Sequence, residues 1–205
     1  MTLDMLVALV GFALAMSLSP GPGNFILLAA GVNFGIRRSV PIILGISGGF
    51  LAMVLAIGLG LGPLLQEHQT VYAALKVIGG AYVLWLALKI ARSTPTADSG
   101  PDRPPQPISF IEAALLQLVN PKAWAVALIV TVSYTTPSDY TASLLAMIAV
   151  FAVVNVPAIS VWALFGVGLR RFLHDPLKVR VFNSIMALLL VASMVPVLFD
   201  VSQWV

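Results

Sequence analysis

Six stretches of the chain run for about 20 residues or more with hardly a charge: Leu3 to Phe34, Val40 to Leu65, Tyr72 to Ala91, Ile108 to Val132, Ala142 to Leu169 and Val181 to Phe199. A helix of that length crosses a hydrocarbon core of about 30 Å. In lipid a spanning segment must satisfy its own backbone hydrogen bonds, which leaves helices for runs of this kind. The sequence therefore predicts an all-α integral membrane protein with six transmembrane helices. Composition agrees: of 205 residues 60% are hydrophobic and 9% charged, against roughly a quarter charged in soluble domains. With no cysteine and two histidines, disulfides, thiolate nucleophiles and sulfur-ligated metals are excluded, and no cofactor is expected. The net charge of +3 sits in short clusters between apolar runs, a pattern that reports membrane orientation and not nucleic-acid binding.

Positive residues stay on the cytoplasmic side. Arg37 and Arg38 lie in the first separator, Lys89, Arg92 and Arg103 at the third, and Arg170, Arg171, Lys178 and Arg180 in the fifth, nine in all, while the second and fourth separators and both ends carry none. Lys76 lies about one turn inside the outer end of span three. The first, third and fifth loops are thus expected in the cytoplasm and both termini outside. A cleaved signal peptide is the alternative for the first run, but a signal needs a basic leading region, and this one begins Met1-Thr2-Leu3-Asp4.

The segment 93–107 holds five prolines with Asp98, Gly100 and Asp102, a composition suited to an extended, solvated linker. It separates a first three-helix unit, residues 1–92, from a second, residues 108–205. Because three is odd, the second unit enters the membrane with the opposite orientation, the arithmetic of a 3+3 inverted repeat. Both units have an interrupted first helix. Ser19-Pro20-Gly21-Pro22-Gly23-Asn24 falls near the middle of span one, and Asn120-Pro121-Lys122 near the middle of span four. Span one, at 32 residues, would be about 48 Å long if straight. Proline lacks an N–H but suits the first position of a new helix, where a preceding Ser or Asn caps the free donors. Broken helices one and four are expected; a plain proline kink is the alternative for each motif taken alone. Paired breaks at matching depth are where transporters bind substrate.

Lys122 is the charge out of place, 14 residues from one end of span four and 10 from the other, or about 21 and 15 Å. A central lysine costs about 2.5–3.5 kcal/mol on insertion scales and marks function by default. No carboxylate shares its depth, since Glu112 is about ten residues toward the cytoplasm, so a substrate anion is a candidate partner. Alternatively, Lys122 braces carbonyls exposed by the break in span one. Asn155 with Pro157 is a third polar break in span five, either lining the cavity or kinking the helix. Spacings of small residues at Gly31 and Gly35, Gly45 and Gly49, and Gly58 and Gly62 predict close helix packing. Tyr72, Tyr140 and Trp204 read as interfacial anchors.

These motifs, Ser19-Pro20-Gly21-Pro22 with Asn24, then Gly35 with Arg37-Arg38 and Gly45, then Asn120-Pro121-Lys122, resemble the LysE/RhtB family of bacterial amino-acid exporters over nearly the whole chain. Gly80 to Ala87 with Lys89, and Pro107 to Phe110, look like the branch containing the cysteine and O-acetylserine exporter. The resemblance implies a multi-pass inner-membrane exporter of small amino acids or their derivatives, driven by the proton gradient. Many members carry Asp after Pro-Gly-Pro; here Gly23 and Asn24 follow Pro22, so that carboxylate is missing.

The expected substrate site therefore comprises Ser19, Pro20, Gly21, Pro22, Asn24, Asn120, Pro121, Lys122 and Asn155, with Lys122 and Glu112 as candidates for proton coupling. An amino acid would set its carboxylate against Lys122 and the helix starts after Pro22 and Pro121, and its ammonium against carbonyls released before Pro20 and Pro121. Its partners are then the substrate, protons and membrane lipid, and a homodimer is open. Two other classes fit the sequence less well. Gly45-Ile46-Ser47-Gly48 fits a loose serine-protease pattern, but a nucleophile needs a base within reach, and His68 and His174 fall in loops on opposite sides of the membrane. A divalent-metal exporter would want thiolate or imidazole in its spans.

Overall fold

The computed structural model describes residues 2–61, 69–93, 106–173, 175–193 and 195. Most of the 93–107 linker, both histidines, Glu67, Trp204 and the ends expected for spans two and six lie outside these residues, as does the side chain of Tyr72.

Helix α1 (Leu3–Leu18) starts where the Thr2 hydroxyl accepts from the Met5 N–H and stops at Ser19, because the residue before a proline is driven out of the helical region. Helix α2 (Pro22–Gly58) starts on Pro22 and contains one non-helical residue, Gly35, at φ 76° and ψ 174°. Only glycine reaches that region freely, and there the chain reverses. A straight helix would separate Gly23 from Ile46 by about 35 Å, yet a Cβ built on Gly23 would lie 3.2 Å from Cδ1 of Ile46. The stretches 22–34 and 36–58, which fall in the runs expected as spans one and two, therefore lie side by side, with Arg37 and Arg38 exposed at the bend. Helix α2 ends at Gly58, and Gly60 then turns at φ 104°; the expected end of span two at Leu65 lies outside the described residues.

Helix α3 (Gln69–Ala91) is followed after the linker by α4 (Phe110–Val119), whose start is a reciprocal capping box between Ser109 and Glu112. After a 70° bend at Asn120 comes α5 (Pro121–Tyr134). A short 3-10 turn leads into α6 (Tyr140–Arg170), within two residues of the expected span five, and α7 (Pro176–Ala192) follows. Helix α7 begins five residues before the apolar run does, because the Asp175 carboxylate accepts from the Leu177 N–H and Pro176 takes the first position.

By length and composition, α2 and the stretch 137–170 are each sufficient to cross a membrane, and the bent pair α4 and α5 together make a third candidate. Small residues bring these helices into backbone contact. A Cβ on Gly31 would overlap the Ala163 carbonyl of α6, and one on Gly45 the Phe110 carbonyl of α4. Gly49 meets the Ala114 backbone in the same way, while a Cβ on Gly58 would overlap the Leu144 side chain. Gly35, expected to pack as the partner of Gly31, has open space beside it and serves as the turn.

Two apolar clusters fill the interior. One gathers Leu27, Ile42, Leu86, Leu116, Ala163 and Leu190 toward the Gly35 turn, and the other Leu9, Ala13, Met53, Val54, Val130 and Met147 toward the start of α1. At the first end, Asn33 and Asn183 are fully buried and exchange hydrogen bonds of 2.7 and 3.0 Å, and Asn183 also donates to the Ser93 carbonyl at 2.8 Å. The two broken helices cross between the clusters.

Candidate functional site

The break in span one frees a run of carbonyls, since Pro20 has no N–H and Ser19 and Gly21 are extended. Side chains meet each of them. The Ser19 hydroxyl turns back to the Met16 carbonyl at 2.9 Å, and the Trp162 indole donates to the Leu18 carbonyl at 3.2 Å. Asn24 donates to the carbonyls of Ser17 and Ser19, at 2.9 and 2.7 Å. The Lys122 ammonium, from the other broken helix, donates to the Ser19 carbonyl at 2.6 Å.

The break in span four is settled by one residue. The Asn120 side-chain oxygen accepts from the N–H groups of Lys122 and Ala123, at 3.1 and 3.4 Å, and so caps α5. Its amide nitrogen donates to the Gln117 side chain at 3.2 Å, while the Trp124 indole meets the Leu118 carbonyl at 2.8 Å. An asparagine amide and an indole thus serve both breaks, and both motifs interrupt their helices outright.

Between the breaks lies a cavity of about 60 Å³, room for a few waters when one takes about 10–15 Å³ on this measure. Of the residues singled out in the sequence, Gly21, Pro22, Asn24, Asn120, Lys122 and Asn155 line it, joined by Met16, Ser17, Gly23, Ile46, Phe50, Gln117, Ala123, Val126, Phe151 and Ile159. Asn155 is buried and ties three helices together, its oxygen accepting from Ser17 at 3.0 Å and its amide donating to Ser47 at 3.3 Å. Ser19 touches the site through its carbonyl, and Pro20 and Pro121 shape it by ending one helix and starting another.

Lys122 threads over Gly21. A Cβ at that glycine would lie 2.7 Å from the lysine Cδ, so only a residue without one leaves the stem its path. The ammonium has three donors and one protein acceptor, Ser19, with no carboxylate partner among the described residues. Beside it the start of α2 has no side-chain cap, and its first backbone bond is donated by Phe25 to Gly21. The early N–H groups of a helix carry a partial positive charge that favours an anion.

Glu112 is elsewhere. One carboxylate oxygen accepts from Lys89 at 2.6 Å and the other from the Ser109 N–H at 2.5 Å, while the Glu112 carbonyl accepts from the Tyr82 hydroxyl at 2.6 Å. It joins spans three and four at the end of the molecule nearer the Gly35 turn. Ser47, the serine of the loose protease pattern, receives its hydrogen bond from an amide, and among the described residues no group of three or more His, Cys, Asp or Glu side chains is placed to hold a metal.

Sequence reasoning overlooked Ser17, Gln117, Trp124 and Trp162 as partners of the breaks, and Phe50 and Phe151 as cavity walls. Ser17 and Gln117 lie within three residues of a break, a signal that was available; the aromatic residues gave none.

The sequence model of the LysE type translocator family matches residues 14–198. The chain belongs to this family. Among its relatives, the cysteine/O-acetylserine efflux protein of Salmonella typhimurium (strain LT2) is 34% identical over 200 residues, covering 93% of this chain and 96% of the relative. The protein of the same description from Escherichia coli (strain K12) is 34% identical over 199 residues with the same coverage. No solved structure matches the chain. A LysE translocator of apolar helices is a membrane transport protein, and the names of its relatives support amino-acid export.

Proposed function

We propose that the chain exports small amino acids or derivatives of the cysteine and O-acetylserine kind across the bacterial inner membrane, coupled to protons. It binds them midway between spans one and four. The observation that carries this reading is the pairing of Lys122, a cation with spare donors and no carboxylate partner among the described residues, with the uncapped start of α2 in one cavity. The substrate carboxylate meets both. The carbonyls of Ser17, Leu18 and Ser19 already accept from side chains, as do the side-chain oxygens of Asn155 and Gln117, whereas the Ser17 hydroxyl donates to Asn155, so the substrate ammonium turns to the Ser17 hydroxyl oxygen.

Six spans in two units of opposite orientation, residues 1–92 and 108–205 joined by 93–107, would rock against each other to alternate access, with both termini outside. The similar treatment of the two breaks supports that repeat. Lys122 is the better candidate for coupling, because Glu112 is occupied by a capping box and an ion pair.

The test is uptake of labelled serine, cysteine and O-acetylserine into inside-out vesicles, with and without a protonophore, each beside its carboxyl-amidated analogue. Uptake of the acids, collapse with the protonophore and refusal of the amides are expected. Equal handling of acid and amide would overturn the site, and persistence with the protonophore would overturn the coupling.

A further inference from the structure

The cavity is lined by two unlike sets of residues: Lys122, Asn120 and the start of α2 at the two breaks, and a second wall of side chains, Ile46 and Phe50 from span two with Phe151 and Asn155 from span five. Given the proposed placing of the carboxylate, the substrate side chain projects toward the second wall. Apart from Lys122, no charged residue lines the cavity, so that wall offers nothing to a cationic or anionic side chain.

Its most voluminous members are the two phenylalanines. Phe50 and Phe151 are 6% and 1% exposed, and their rings meet at 5.1 Å between centroids and 54° between planes. They line the cavity and also belong to the apolar cluster on the side where α1 begins, so they stand between the substrate space and that end of the molecule. Interiors are close-packed, and a ring in its place excludes another ring. We infer that the Phe50 and Phe151 pair limits the size of the side chain that is exported, admitting short neutral ones and rejecting aromatic and bulky branched ones.

This inference rests on the exporter reading and is separable from it. Removing one ring leaves a ring-shaped space beside the substrate, and pocket volume governs discrimination between apolar side chains. The experiment compares uptake of labelled serine, O-acetylserine, leucine and phenylalanine into inside-out vesicles carrying wild type, Phe50→Ala, Phe151→Ala or Phe151→Leu. Wild type is expected to take up serine or O-acetylserine and to refuse phenylalanine. In Phe151→Ala or Phe50→Ala the ratio of phenylalanine to serine uptake rises by about tenfold or more. Should the alanine variants fail to insert, Phe151→Leu keeps an apolar filling and carries the test through a raised ratio of leucine to serine. Variants that insert and transport with an unchanged ratio would make the pair ordinary core packing and overturn the inference. A wild type that moves no amino acid would overturn both this inference and the exporter reading.

Discussion

Replacing Lys122 by Met separates what this residue does for the fold from what it does for a substrate. Met keeps most of the stem's length and its path over Gly21 while removing the charge. Two opposing terms decide stability. The charge-assisted bond to the Ser19 carbonyl, at 2.6 Å, contributes about 1.5–3 kcal/mol. Holding a lysine at mid-depth costs about 2.5–3.5 kcal/mol. The Ser19 carbonyl is not orphaned by the change, because Asn24 still donates to it at 2.7 Å. The terms nearly cancel, so the melting temperature in detergent should move by only a few degrees, as about 1 kcal/mol does in a chain of this size. Export should nevertheless fall by tenfold or more, since the carboxylate loses its cation. Lys122→Arg, with a larger planar head, should keep part of the activity. The assay pairs thermal melting of purified protein with vesicle uptake. An undiminished rate in Lys122→Met would remove the substrate role, and loss of insertion would make the lysine a brace that the break cannot do without.

Replacing Pro20 and Pro22 together by Ala restores N–H groups at the break and relieves a helix-interior penalty of about 3 kcal/mol per proline; span one should run on, with insertion retained and uptake lost, and normal uptake would reduce the motif to a kink. Reporter fusions at Ser99 should read cytoplasmic, while fusions at Ser138 and after Val205 should read external; a cytoplasmic carboxyl end would overturn the six-span arrangement.

The breaks were legible because their chemistry is local: a proline cannot donate, and Asn120 caps the helix that restarts at Pro121 as expected; Ser19, expected to cap a restart at Pro20, instead donates back to the Met16 carbonyl, and α2 restarts at Pro22 without a side-chain cap. Lys122 was legible by depth alone, and both roles weighed for it concern one atom, since the ammonium that braces Ser19 also faces the cavity. What the sequence hides is which distant donors meet the freed carbonyls. Trp162 reaches Leu18 across 144 positions, and Asn33 finds Asn183 across 150, pairings set by how helices pack and by nothing near either residue. Gly35 failed as a packing residue for a related reason. Its spacing from Gly31 is that of a helix face, and the chain stops being a helix at that residue.

That turn also bears on where the protein can bend. An elbow of a single glycine leaves no spare chain between 22–34 and 36–58, and the two pack side by side where Ile46 meets Gly23. The joint between α1 and that pair is of another kind: two extended residues and a proline, held by side-chain hydrogen bonds that can be exchanged one at a time. Bending at Ser19-Pro20-Gly21 would therefore cost side-chain hydrogen bonds and no helical backbone ones, and the cavity lies beside that joint.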